Sequence, residues 1–154
     1  MQSELLKSQF ATIAKQKSAN FRTNCLDRAD LNGIDRANVP MPLDFYKWLM
    51  TYESRLEKQG RTFYLRCEYT GELVKVTGAV DEKSLQIDHR TPISRGGSFG
   101  IENLAITTAQ NNQRKGSLNE SEFKRLLDFL TWFEPVAKTD VLTRLRRGAV
   151  NRKF

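Results

Sequence analysis

Histidine is almost absent from this sequence. One imidazole, His89, stands among 154 residues, so any step that needs an imidazole near neutral pH has a single address. Cysteine is nearly as scarce. Cys25 and Cys67 are the whole complement, which excludes a four-cysteine zinc site and argues against a disulfide framework. Two reduced, partly buried thiols are expected instead. No run approaches the roughly 18–20 uninterrupted apolar residues that a membrane-spanning helix needs. Residues Met1 to Phe10 also lack the apolar core and small-residue cleavage site of a secretory signal. An intracellular protein with no membrane partner is the expectation. Internal repeats and low-complexity segments are missing too.

What is present is positive charge. Lys and Arg number 25 against 18 Asp and Glu, a formal charge of +7, which suits a polyanionic partner because phosphate neutralisation releases counterions. Composition does not separate nucleic acid from an anionic membrane, but no basic amphipathic helix of the membrane-surface kind stands out. The last stretch holds Arg144, Arg146, Arg147, Arg152 and Lys153 with no acid, and reads as a phosphate-contacting tail. Apolar residues at 39% are enough for a real core, and the length suits one compact domain.

The chain divides into three parts. In residues 1–60, Leu5, Leu6, Phe10 and Ile13 recur at helical spacing and predict a short helix, followed by a loop over Asn20–Asn38. Pro40 and Pro42 then introduce a second helix, with Phe45, Leu49, Tyr52 and Leu56 on one face and Gly60 as its stop. Residues 61–118 change character: short alternating strands run near 61–67, 73–77, 85–88 and 104–108, with a Gly-rich loop at 95–100 and a short helix from Ala109 to Lys115 ending at Gly116. In 119–154, Asn119 with Glu122 forms a capping signature, Phe123, Leu126, Leu127, Leu130 and Phe133 make a buried stripe, and Pro135 closes that helix. The aromatic residues of these helices, Trp48 and Trp132 included, are expected in the core.

The special residues crowd into one region. Asp88 and His89 are adjacent at the end of a predicted strand, followed by Pro92, Gly96-Gly97, Asn103-Leu104, Asn112 and Lys115-Gly116. Phosphodiester hydrolysis needs water deprotonated near neutral pH, which an imidazole with a pKa near 6.5 can do. It also needs negative charge neutralised, which a divalent cation does well. Asp88 and Asn112 offer hard oxygen donors that suit Mg²⁺ or Mn²⁺ better than Zn²⁺. Neighbours on a regular strand point to opposite faces, so either the backbone twists at Asp88–His89 or metal and base act from different sides.

This string of residues, in this register, resembles the HNH endonuclease motif, and Cys67-Glu-Tyr-Thr-Gly71 is similar to the entry segment of several HNH proteins, those of CRISPR effectors among them. The resemblance covers about residues 65–118. It implies an α+β fold: a ββα-metal finger of two antiparallel strands and a helix around one metal, here flanked by N- and C-terminal helices. It implies Asp88 and Asn112 as metal ligands, His89 as general base, and Asn103 as the residue that braces the inter-strand loop and orients the histidine. Arg90, Arg114 and Lys115 are candidate phosphate contacts from charge and proximity. Many HNH proteins carry two Cys-x-x-Cys pairs around the motif. Here the matching positions are Cys67 with Thr70 and Thr108 with Asn111, so no structural zinc is expected, and flanking helices (Phe45, Trp48, Leu49, Phe123, Leu127, Leu130) must brace the finger. The implied activity is Mg²⁺- or Mn²⁺-dependent hydrolysis of double-stranded DNA to 5′-phosphate and 3′-hydroxyl ends, as in phage or mobile-element enzymes. A DNA-binding or assembly module without turnover, and a nuclease on RNA or junctions, stay open; no protein partner is indicated.

Overall fold

The computed structural model describes residues 2–146. Its longest element is helix α1, Gln2–Leu31, where the sequence pattern suggests only a short helix and then a loop. The packing gives the reason. Phe10, Ala14, Ser18, Cys25 and Ala29 are buried at helical spacing, but Ala, Ser and Cys give a weak hydrophobic signal. No Gly or Pro interrupts the run before Gly33, where a positive φ of 64° ends it. Ile34 N–H then reaches the Ala29 carbonyl at 2.8 Å and Gly33 N–H the Asp30 carbonyl, a Schellman closure.

Helix α2, Pro42–Met50, starts with proline in its first turn and buries Phe45 and Leu49. It stops well short of Gly60. Residues Glu57–Gln59 form strand β1, and Gly60, with φ 63°, turns the chain into β2, Thr62–Arg66. Gly60 is therefore a hairpin residue and not a helix stop. Strand β3, Leu73–Lys75, completes a three-stranded antiparallel sheet in the order β1-β2-β3.

Strands β4, Leu85–His89, and β5, Leu104–Thr108, pair antiparallel from Leu85 opposite Thr108 to His89 opposite Leu104. Helix α3, Ala109–Lys115, follows without a linker; Thr108 caps it by accepting from Asn111 N–H at 3.0 Å. This is the ββα unit that the resemblance implies, inside a mixed α+β fold. The loop between the strands is tight. A Cβ on Gly97 would lie 1.9 Å from the Thr91 carbonyl oxygen, so only glycine fits there.

Helix α4, Glu120–Leu130, has the expected capping box: Asn119 accepts from Glu122 N–H at 2.9 Å while the Glu122 carboxylate accepts from Asn119 N–H at 3.3 Å. Pro135 opens a further helix, α5, Pro135–Arg146, which the basic composition of that stretch obscures.

One core gathers α1, α2, both sheets and α4, with Phe10, Phe45, Leu49, Leu65, Ile106 and Phe123 at its centre. Trp48 and Leu127 pack at its margin, while Leu130 joins Leu142 and Leu145 in a smaller cluster between α4 and α5. The expectation that the helix aromatics are all internal fails for Phe129, Trp132 and Phe133, all exposed, Trp132 by 89%; α4 ends at Leu130, so Phe133 does not extend its buried stripe. Among the described residues no helix is long and apolar enough to cross a membrane.

Candidate active site

The pleat of β4 sorts the motif. Gln86 and Asp88 share one face of the strand, and Leu85, Ile87 and His89 the other. Helix α3 crosses the first face: Asn112 Nδ2 donates to Gln86 Oε1 at 2.8 Å, and one turn on Lys115 Nζ lies 3.0 Å from Asp88 Oδ2. Helix α1 covers the second face. The strand is regular to its end, so Asp88 and His89 do point to opposite sides.

Asp88 is buried and well held. Oδ2 accepts from the Tyr69 hydroxyl at 2.7 Å as well as from Lys115, whose ammonium also donates to the His89 carbonyl at 3.0 Å and lies 5.5 Å from the Tyr69 ring. Burial, reinforced by the Asp88 carboxylate, pushes the Tyr69 phenol far above its ordinary range, so it stays a donor. The residues present fit a hard divalent cation in kind. Asp88 contributes a carboxylate, and Asn112 on the same face spends its amide nitrogen on Gln86, which leaves its oxygen as a donor. No group of three or more His, Cys, Asp or Glu suited to a metal exists among the described residues. A two-ligand site completed by water and substrate phosphate suits Mg²⁺, which usually keeps several waters.

His89 is 1% exposed. Its ring lies between Phe21 and Phe99, with centroids 5.2 and 5.7 Å away. Arg28 Nη1 approaches Nδ1 at 3.4 Å and Cys25 Sγ lies 3.9 Å from Nε2. A guanidinium can only donate, so Nδ1 is the acceptor and the proton sits on Nε2. Burial, then the charges of Arg28 and Lys115, lower the imidazole pKa to about 3. The histidine is therefore neutral at pH 7, with the lone pair a base needs, yet that lone pair is covered. Burial holds the Cys25 thiol up at about 12, so it remains protonated.

The other residues singled out in the sequence divide sharply. Asn103 spans the loop: its Nδ2 donates to the Thr91 and Ser98 carbonyls at 2.9 and 2.8 Å and its Oδ1 accepts from Thr91 N–H. Arg90, expected at phosphate, has its guanidinium committed to Glu68, Glu120 and the Leu104 carbonyl. Lys115, expected there too, is 1% exposed and paired with Asp88. Arg114 is half-buried on α3. Arg144 is exposed and pairs with Asp140 at 3.1 Å, and Arg146 is the last residue of α5. Arg147, Arg152 and Lys153 lie outside the described residues.

The four positions that match zinc ligands elsewhere meet in space. The Asn111 amide nitrogen donates to Cys67 Sγ at 3.6 Å and to Thr70 Oγ1 at 3.3 Å, Thr108 caps Asn111 from below, and Cys67 Sγ sits 3.2 Å from Thr107 Oγ1. Neutral hydrogen bonds join these segments where charged thiolates would otherwise need a metal.

Sequence reasoning missed Phe21, Cys25, Arg28, Tyr69 and Gln86. Tyr69 lies inside the Cys67–Gly71 segment, and Gln86 is one pleat before Asp88, so strand alternation could have found it. The α1 residues carried no signal except their helical spacing. Arg28 joins Lys17, Asn20 and Asn24 of the same helix in facing Gln86 and Asn112 across a cavity of about 250 Å³ beside β4. Leu85 and Ile87 of β4 complete its lining, and Asp88 and His89 lie just beyond it along the strand.

Residues 67–118 match the HNH endonuclease family model. A 70-residue stretch is 37% identical to the CRISPR-associated endonuclease Cas9 of Campylobacter jejuni, covering 46% of this chain and 7% of that protein. The chain thus spans a small fraction of its relative's length. No solved structure matches the chain significantly.

Proposed function

We propose that this chain, which carries an HNH endonuclease segment at residues 67–118, hydrolyses DNA phosphodiester bonds with His89 as general base. The observation that carries this reading is the β4–β5–α3 unit, which holds Asp88 and Asn112 on one face of a strand and a neutral His89 at its end, beside a cation-lined cavity between α1, β4 and Asn112 of α3. Phosphate in that cavity would meet Lys17 and Arg28 from α1 and Asn112 from α3, with Asp88 and His89 the next residues along β4 beyond the lining Ile87. His89 Nδ1 takes a proton from water, the resulting hydroxide attacks phosphorus, and the P–O3′ bond breaks to leave a 5′-phosphate and a 3′-oxygen that solvent protonates. Nε2–H, held toward Cys25, keeps the ring in the tautomer whose lone pair is on Nδ1. Asp88 and Asn112 would hold Mg²⁺ or Mn²⁺, which neutralises charge on the phosphate and the departing oxygen. Asn103 fixes the loop that follows the histidine, and Tyr69 and Lys115 fix Asp88.

Plasmid cleavage with and without Mg²⁺ tests the reading, with an RNA substrate in parallel. Asp88→Ala and Asn112→Ala are each expected to raise the Mg²⁺ concentration for half-maximal rate by about tenfold or more, or to abolish cleavage. Unchanged metal dependence in both variants would remove them as ligands. Cleavage of RNA in preference to DNA would change the substrate.

The basic tail is expected to act on binding alone. Ending the chain after Arg146 removes Arg147, Arg152 and Lys153. For every phosphate that these side chains neutralise, their removal flattens the slope of log affinity against log salt by about 0.9. The melting temperature should hold. Ending the chain before Arg144 also removes Leu145, which is 2% exposed against Leu130 and Leu142, and should lower the melting temperature by roughly 5 °C or more. A salt slope untouched by the shorter truncation would end the electrostatic role of the tail.

A further inference from the structure

Helix α1 lies outside the matched segment, yet it supplies the group nearest the working nitrogen of His89. We infer that Arg28, with Lys17 three turns back on the same stripe of the helix, is the clamp for the scissile phosphate, and that it uncovers His89 Nδ1 when it takes that phosphate. This deepens the nuclease reading and rests on it.

Three features of the site converge. Arg28 Nη1 is 3.4 Å from Nδ1, and since Arg has no lone pair to offer, this contact occupies the electron pair with which the base must accept a proton. No water can be deprotonated by Nδ1 while the guanidinium stays. Arg28 is nonetheless exposed and borders the cavity beside β4, so it can turn toward an anion without unfolding anything. The cavity is also built for an oxyanion. Lys17 and Arg28 bring two cations and Asn20 and Asn24 two amides along one helical stripe, opposite Asn112. A phosphate there can accept two parallel N–H bonds from the guanidinium. The same movement that forms those bonds frees Nδ1 on the α1 side of β4, where Phe21 and Arg28 stand between the imidazole and the cavity. With Arg28 on Nδ1 the base is capped; with Arg28 on phosphate it is armed.

Because His89 is the one histidine, the imidazole ¹⁵N spectrum reports on this residue alone. In ¹⁵N-labelled protein with EDTA present to prevent cleavage, adding a duplex oligonucleotide should shift the Nδ1 signal toward that of a lone pair without a donor. Arg28→Ala should show that shift before any DNA is added. Arg28→Ala should also weaken duplex binding by about tenfold and slow single-turnover cleavage at saturating DNA by at least about tenfold more. Arg28→Lys should restore affinity but little of the rate, since an ammonium lacks the fork. Lys7→Gln removes one charge from the same helix away from the cavity and should change each quantity by less than about twofold. Arg28→Ala cleaving at or above the wild-type rate would make Arg28 a mere cover over His89 and overturn the clamp; so would a Nδ1 signal unmoved by DNA. Failure of the nuclease reading looks different: wild-type protein would not cleave, while the affinity and Nδ1 arms would still report on the phosphate contact.

Discussion

His89→Ala is expected to lower single-turnover DNA cleavage by roughly 10²–10⁴-fold, the range that a positioned general base contributes. Duplex affinity should stay within about threefold, because the ring is buried and touches Phe21, Phe99, Cys25 and Arg28 rather than the surface. Burial also means that alanine leaves a hole, so some fall in melting temperature is expected. His89→Gln keeps most of the volume and separates the two effects, with the rate reduced and the fold kept. Residual cleavage within tenfold of wild type in both variants would remove His89 from the chemistry.

The pH dependence has an unusually low midpoint. From the sequence, the activity should rise through a midpoint near 6.5; the buried ring, with Arg28 and Lys115 close by, moves that midpoint to about 3. The profile of kcat/KM reports the free enzyme, so its acid limb should be absent between pH 5 and 8. The profile of kcat reports the complex, where phosphate charge opposes Arg28, and its limb should lie higher, between 3 and 6.5. Stability follows the same shift. Unfolded, His89 takes a proton near 6.5; folded, only near 3. Within that window the unfolded state binds more protons, so the protein loses stability as pH falls from 6.5 toward 3. His89→Gln should remove that part of the acid slope in thermal melts.

The motif could be read from the chain because its residues are consecutive in kind and register. Asp88, His89, Asn103, Asn112 and Gly116 fall at fixed spacings, and the ββα unit follows once the strands around Ile87 and Ile106 are assigned. What surrounds the motif could not be read, for two physical reasons. The helix over His89 buries Ala14, Ser18, Cys25 and Ala29, small side chains that let backbones approach closely but leave no periodic hydrophobic signal. The pairing of charges is likewise three-dimensional. Arg90 and Lys115 look like phosphate ligands because they are cationic and close to the motif, whereas Glu68, Glu120 and Asp88, all remote in the chain, claim them. Helix α5 hid behind its own charge, its two buried leucines diluted by basic neighbours.

Lys115→Met is expected to be the most destabilising single change in this region. The ammonium is 1% exposed and donates both to Asp88 Oδ2 and to the His89 carbonyl, each at 3.0 Å. Methionine matches its length but leaves the buried Asp88 carboxylate to the neutral Tyr69 hydroxyl, with no cation beside it. Breaking a buried pair on one side costs about 3–5 kcal/mol, which for a chain of this size lowers the melting temperature by roughly 6–20 °C. The double variant Lys115→Met with Asp88→Asn should recover much of that, since no bare charge is left inside. Divalent metal supplies a sharper readout. A cation bound at Asp88 replaces the missing positive charge, so Mg²⁺ should raise the melting temperature of Lys115→Met by more than that of wild type, and by nothing extra in the double variant. The rival role, a direct phosphate contact, makes the opposite forecast: Lys115→Met would keep its melting temperature and lose DNA affinity with a flatter salt slope. That pattern would mean that Lys115 leaves Asp88 to meet the nucleic acid, and that its ion pair does not hold this part of the fold.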